Sequence, residues 1–167
     1  MRGDPKVLEL LNECLTAELT AINQYFIHAE ICENLGYPAL HKAIRAESID
    51  EMKHADRLIE RILFLEGYPN MSRYFEIKVG QSIEDIFAND MLLEKAAVVR
   101  LNKGIGLCAE TGDHGSRDLL QGILGEEEHH VDFIETQLSL IKQIGVVNYI
   151  SRQIAGGLGE ARGDAPM

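Results

Sequence analysis

The sequence predicts an all-α protein: four long helices in a bundle, one long crossover between the second and third, and a short fifth helix at the C-terminal end. Three observations predict it. Apolar residues recur every three or four positions over four stretches of roughly 28–32 residues, the spacing of one buried helix face. Turn residues punctuate those stretches at Gly36, Gly67-Tyr68-Pro69-Asn70, Gly112 and Gly145. Only residues 71–81 break the helical pattern over any length.

The elements follow in order. Asp4 is a good N-cap and Pro5 suits the first helical position, where a missing N–H costs nothing. Leu8, Leu11, Leu15, Leu19, Ile22 and Phe26 then mark the apolar stripe of a helix ending near Gly36. A second helix is expected over about 39–66, with Ile44, Leu58, Ile62 and Leu65 on one face. Residues 74–79 have strand-like composition without a strand to pair with, so the segment reads as an extended crossover. Ser82 followed by Asp85 starts a third helix that runs to about Gly112. The fourth spans about 113–144 through Leu120, Ile123, Leu124, Val131, Ile134, Leu138 and Ile141, and the fifth about 146–153. Residues 1–155 form one domain on this reading, and 156–167 a flexible Gly-rich tail in which Arg162-Gly163-Asp164 is a chance tripeptide.

Composition narrows the function classes. The 167 residues are 46 % hydrophobic and 26 % charged, ordinary for a globular chain with a core. Sixteen Lys and Arg against 27 Asp and Glu leave a net charge of −11, which repels phosphate backbones and argues against nucleic acid as a partner. No apolar run approaches the roughly 18 residues of a membrane span. Three scattered cysteines, Cys14, Cys32 and Cys108, make neither a disulfide framework nor a zinc ribbon. With no apolar leader at the N-terminus, the expectation is a cytoplasmic protein.

The core stripes carry residues that do not belong in an apolar core. Glu18 sits among Leu8, Leu11, Leu15, Ile22, Tyr25 and Ala29. Glu47, Glu51 and His54 share a face with Ile44, Leu58 and Ile62. Glu94 lines up with Asp90, Ala97, Leu101 and Cys108, and Glu127 and His130 with Leu120, Ile123, Ile134 and Ile141. The spacings recur: Glu18 to Glu51 and Glu94 to Glu127 are each 33 residues, and each second glutamate has a His three positions on. Each half of the chain thus supplies one Glu plus one Glu-x-x-His. Glu126 and His129 form a competing copy one residue earlier, but the phase of Ile123 and Ile134 favours Glu127 and His130.

Four buried carboxylates without cations cost several kcal/mol each, and no Lys or Arg lies on the stripes to neutralise them. Two divalent ions offset four negative charges, and each His adds one nitrogen donor. Oxygen-rich ligation with one imidazole per ion suits iron or manganese, and zinc also fits.

A Glu from each of two helices and a Glu-x-x-His from each of two others is the ligand pattern of ferritin-like di-iron proteins, and one long crossover is their bundle topology. Within that class the chain closely resembles the bacterioferritins. The resemblance is carried by Met1-Arg2-Gly3-Asp4, by Glu18 through Phe26, by Glu47 through Asp56, by Arg61 through Gly67, and by Glu126-Glu127-Glu128-His129-His130. It covers about residues 1–155.

The resemblance implies iron storage: a ferroxidase that oxidises Fe(II) to Fe(III) with O2 or H2O2 at an intrasubunit di-iron centre, two iron ions per subunit. The metal ligands it implies are Glu18, Glu51, His54, Glu94, Glu127 and His130, with Glu18 and Glu94 terminal and Glu51 and Glu127 bridging. Tyr25 is the implied electron donor. Met52, one residue from Glu51 and so about 100° away around the helix, is the implied ligand of a haem b shared by two subunits. Ile22, Asn23, Phe26, Ile49 and Lys53 would line that pocket. The implied assembly is a homo-oligomeric 24-subunit shell built from two-fold dimers, with a ferredoxin-like protein as a compatible reductant. Asn34, Glu66, Asp132 and Thr136 match positions lining an intersubunit pore. Ala46 departs from the family, many of whose members have His there beside Asp50 at an inner-surface iron site. His28, His41, His114 and His129 read as surface residues. Two rivals remain at this stage: a rubrerythrin-type oxidase or peroxidase, although the chain lacks its Cys-rich module, and a haem-binding electron-transfer bundle.

Overall fold

The structure, a computed structural model, describes residues 1–154, so the expected tail and its Arg162-Gly163-Asp164 lie outside the described residues. It contains five helices: α1 (Pro5–Asn34), α2 (Pro38–Phe64), α3 (Ile83–Glu110), α4 (His114–Ile144) and α5 (Val146–Ile154). The expected order and crossover are all present, and the ends move by only a residue or two. The caps explain where the helices start. Asp4 accepts from the Lys6 N–H at 2.7 Å, Ser82 from the Asp85 N–H at 3.1 Å, and Asp113 from the Ser116 N–H at 3.0 Å. Gly36, Gly112 and Gly145, at φ of 82°, 74° and 77°, turn the chain just beyond three helix ends in a conformation a Cβ disfavours. Among the described residues no helix is long and apolar enough to cross a membrane.

α1 packs antiparallel on α2, and α3 on α4, with α1 also against α3. Two apolar clusters fill the bundle. One joins Val7–Leu19 of α1 to Ala55, Leu58 and Ile62 of α2, Leu101 and Cys108 of α3, and Leu120 and Ile123 of α4. The other joins Ala21–Cys32 to Leu40, Ile44, Ile83–Met91, Ile134, Ile141 and Tyr149, the last contributed by α5. Phe26 is a correction to the expected α1 stripe: it is 45 % exposed, and Tyr25 beside it faces the core. Leu8 and Phe26 stand 18 residues, five full turns, apart and so share one edge of the buried face, where Leu8 is half-buried and Phe26 is exposed.

The crossover, residues 65–82, travels the length of the bundle, because α2 ends beside the first cluster and α3 begins beside the second. It runs alongside α1 and pairs with side chains rather than with a strand. Its backbone N–H groups at Asn70, Phe75, Lys78 and Gly80 donate to Asn12 Oδ1 (2.8 Å), Thr20 Oγ1 (2.9 Å), Gln24 Oε1 (3.0 Å) and His28 Nε2 (2.9 Å). These α1 residues stand four or eight apart, so they share one face. Strand-like residues without a strand partner thus have their donors satisfied by a helix.

His28 is therefore not the surface residue expected from sequence. It is fully buried, and its Nε2 accepts from Gly80, so its Nδ1 carries the proton that it donates to Asp90 Oδ1 at 2.9 Å. Gly80 makes this approach possible, since a Cβ there would lie 2.5 Å from the Ile86 nitrogen. His41 is half-buried with Nδ1 3.0 Å from the Ala29 carbonyl. His114 and His129 are exposed as expected.

Candidate metal centre

Between the two apolar clusters lies a belt of buried polar side chains. Helical spacing builds it: Glu18 follows Leu15 by three residues, Glu51 and His54 lie one turn apart, Glu94 follows Met91, and Glu127 and His130 repeat the second pair. Each therefore shares the inward face of its helix. Glu18, Glu51, His54, Glu94, Glu127 and His130 are all buried, none more than 8 % exposed.

The six side chains meet in two overlapping groups. Glu18, Glu51, His54 and Glu127 can each place one ligand atom within 4.8 Å of the others, and so can Glu51, Glu94, Glu127 and His130. Glu51 and Glu127 belong to both. Glu51 sets Oε2 3.0 Å from His54 Nδ1 and Oε1 3.0 Å from His130 Nδ1. Glu127 sets Oε1 3.0 Å from His54 Nδ1 and Oε2 3.4 Å from His130 Nδ1. Glu18 lies 3.4 Å from His54 alone and Glu94 3.7 Å from His130 alone. The imidazoles are nearly parallel, 17° apart with ring centres 6.0 Å apart.

Most of these short approaches are not hydrogen bonds. Both oxygens of Glu51 and of Glu94, Glu127 Oε2, His130 Nδ1 and the Tyr25 hydroxyl are buried without a hydrogen-bond partner. Buried polar atoms are almost always paired, and leaving one unpaired costs about 1–3 kcal/mol, more for a charged group. Close atoms that are misaligned for bonding one another converge on common points between them, as ligands do.

The electrostatics show the same strain. Burial and then repulsion from Glu51 push the Glu18 carboxyl well above its ordinary value, against the pull of the nearby His54 imidazole. Burial likewise raises Glu94. Burial works against the ionised forms of Glu51 and Glu127 too, but the imidazoles of His130 and His54 close beside them outweigh it and hold both below the usual range. Burial would lower both histidines, yet the glutamates around them raise His54 to about 12 and His130 further still. Without cations, protons hold the belt together, and a bound cation must displace them.

Two outer carboxylates complete the geometry. His54 Nε2 lies 2.8 Å from Glu126 Oε2, and His130 Nε2 lies 2.8 Å from Glu47 Oε2. Glu126 is the residue that competes with Glu127 in the sequence. It sits outside the belt, where hydrogen bonds from Arg57 and His54 outweigh partial burial and hold its carboxyl below the usual range. Nothing in the spacing marked it as a histidine partner, because its contact to His54 spans 72 residues.

Tyr25 is 2 % exposed on the same stretch of α1 as Glu18. Met52 points away from the belt and is 45 % exposed, with Phe26 and Ile49 exposed to 45 % and 47 %. Asp50, beside Ala46 in sequence register, is tied to Lys53 Nζ at 2.6 Å.

Known proteins agree with this architecture. The ferritin-like domain family matches residues 8–144. The chain is 49 % identical to the bacterioferritin of Streptomyces coelicolor over 154 residues, 92 % of each chain. It is 46 % identical to that of Mycobacterium leprae over 155 residues, 93 % of this chain and 98 % of the relative. It is 42 % identical to that of Brucella melitensis over 149 residues, 89 % and 92 %.

Proposed function

The chain belongs to the ferritin-like family and, within it, to the bacterioferritins, and from that premise we propose that it stores iron by oxidising Fe(II) at the six-residue belt inside each subunit. One observation carries the reading: two four-residue groups that share Glu51 and Glu127. Two ions a few ångströms apart need two carboxylates that reach both, and each of these glutamates turns one oxygen toward each histidine. Glu18 and Glu94 are the terminal carboxylates, and His54 and His130 the nitrogen donors. Four carboxylates match the charge of two Fe(II), and the excess positive charge after oxidation favours release of ferric product from the belt.

Iron is the substrate and cargo. Two Fe(II) lose one electron each, and the pair reduces O2 with two protons to H2O2, or H2O2 with two protons to two waters. The belt holds the two reductants together, so a two-electron acceptor meets both at once. Tyr25, buried with its hydroxyl unpartnered, is a further one-electron donor beside the belt.

The haem expected from the family finds a suitable donor. A thioether is a known haem ligand, and Met52 is exposed, as are Phe26 and Ile49, apolar surface of the kind a bound group or a second subunit would cover. Met52 of each of two subunits would hold haem b, with Ile22, Asn23 and Lys53 at its edge. Haem there supplies a path for electrons that return stored Fe(III) to Fe(II), received from a ferredoxin-like protein. The assembly is a cytoplasmic 24-subunit shell of two-fold dimers.

Native mass by light scattering on protein given Fe(II) in air, with the visible spectrum recorded together, tests the proposal. A particle near 24 times the 18.6 kDa chain, a haem Soret band and growing ferric absorbance are expected. A dimer that binds iron without forming mineral would replace storage with a soluble oxidase.

A further inference from the structure

His54 is held from outside the belt as well as from within. Its Nδ1 faces Glu51 and Glu127 at 3.0 Å, and its Nε2 faces Glu126 Oε2 at 2.8 Å. A metal on Nδ1 needs that nitrogen's lone pair, so the proton must sit on Nε2, where only an acceptor can keep it. Glu126 is that acceptor, and it does not wander. Arg57, one turn along α2 from His54, grips it with both arms: Nη1 to Oε1 at 3.0 Å and Nη2 to Oε2 at 2.8 Å. Such a fork fixes the plane of the carboxylate as well as its position.

We propose that Glu126, clamped by Arg57, is a positioning residue that fixes the tautomer and the ring orientation of His54 for the ion held by Glu18, Glu51, His54 and Glu127. The inference rests on the reading of the belt as a two-ion site. The ion held through Glu94 and His130 serves as an internal control, because the Nε2 of His130 faces Glu47 instead and neither Arg57 nor Glu126 touches that ring. Glu126 and Arg57 are both partly exposed, so truncating either leaves the other within reach of water.

The probe is Co(II) alone, which reports its donors through visible absorption and is not oxidised in the assay. The wild-type chain should take up two Co(II) per subunit with two resolvable binding steps. Glu126→Ala should weaken one step by about 10–100-fold, the usual cost of losing an outer partner of a metal-bound histidine, and alter the spectrum of that ion only. Arg57→Ala should weaken the same step by less. Glu126→Gln keeps an acceptor oxygen and should recover part of the loss, which a merely structural role would not produce. Unchanged affinity and spectrum in Glu126→Ala, with wild-type binding intact, overturns the inference and leaves the two-ion site standing. Equal weakening of both steps also overturns it, as general loosening. Failure of the wild-type chain to bind two Co(II) per subunit removes the two-ion reading itself.

Discussion

Two buried polar clusters lie along α1 and α3, and they differ in one respect. In the first, Gln24 and His28 both donate to Asp90 Oδ1, at 2.8 and 2.9 Å, while the far atoms of their side chains accept from the Lys78 and Gly80 N–H groups. None of the three leaves a fully buried polar atom unpaired. In the second, one to two turns away, Glu51 and Glu94 leave every carboxylate oxygen unpaired, and Glu127 and His130 leave one atom each. A closed network stabilises the fold it sits in. An open cluster of the same residue types costs the chain stability and has the donor set that could hold a metal ion. Burial of charged residues alone does not separate the two, but satisfaction does.

Substitutions can break or sharpen this contrast. Glu127→Ala removes a carboxylate shared by both ion positions, so fast Fe(II) oxidation in stopped-flow absorbance should fall by more than about 100-fold, beyond the usual loss for an outer partner alone. The thermal midpoint should fall as well, because His54 Nδ1 loses its acceptor and the truncation opens space in the core, so the rate is compared on protein verified as folded. His28→Ala should separate the two effects. It leaves the Gly80 N–H and part of Asp90 unpaired in the core, which costs about 2–4 kcal/mol and lowers the thermal midpoint by roughly 5–12 °C, with the oxidation rate retained in the folded protein.

A divalent ion should distinguish the clusters next. At 100 times its dissociation constant, Zn(II) should stabilise the wild-type chain by about 2.7 kcal/mol per bound ion. Glu94→Gln should lose that gain at one ion position while changing the metal-free stability little, since burial already favours the neutral form of this carboxyl and the amide keeps its shape. Calorimetric scans with and without zinc check both halves. The smallest effect concerns an ion pair away from either cluster. Burial is the largest single influence on Asp113 and raises it, but the Ser116 N–H and hydroxyl together with Arg61 outweigh that and lower its carboxyl below the ordinary 3.8. A depressed carboxyl stabilises the fold above its unfolded value and loses that contribution as pH falls through the folded one. Asp113→Asn should therefore flatten the decline in stability below about pH 4, measured by denaturant titration across that range.

The contrast also shows why one cluster was legible in the sequence and the other was not. Glu18, Glu51, His54, Glu94, Glu127 and His130 announced themselves because a carboxylate on an apolar stripe is costly and because the same spacing occurs twice. The four helices, the caps Asp4 and Ser82 and the crossover were legible for local reasons: both caps act within three residues, and the apolar periods are long; the Asp113 cap emerges only in the structure. His28 was read as a surface residue because its partners are the Asp90 carboxylate and the Gly80 N–H, 62 and 52 residues away. No local period encodes a helix side chain that satisfies a distant extended backbone. Thr20 and Gln24 escaped for the same reason, and Glu126 because its phase only marks it as flanking the core.

The most direct test is a stepwise titration of Fe(II) into the metal-free protein in air, following the amplitude of the fast oxidation phase. If Glu51 and Glu127 bridge two ions in each subunit, that amplitude grows to two Fe(II) per subunit and then stops, with any further oxidation slow. Saturation at one Fe(II) per subunit, or a fast phase that persists in Glu127→Ala, would contradict it.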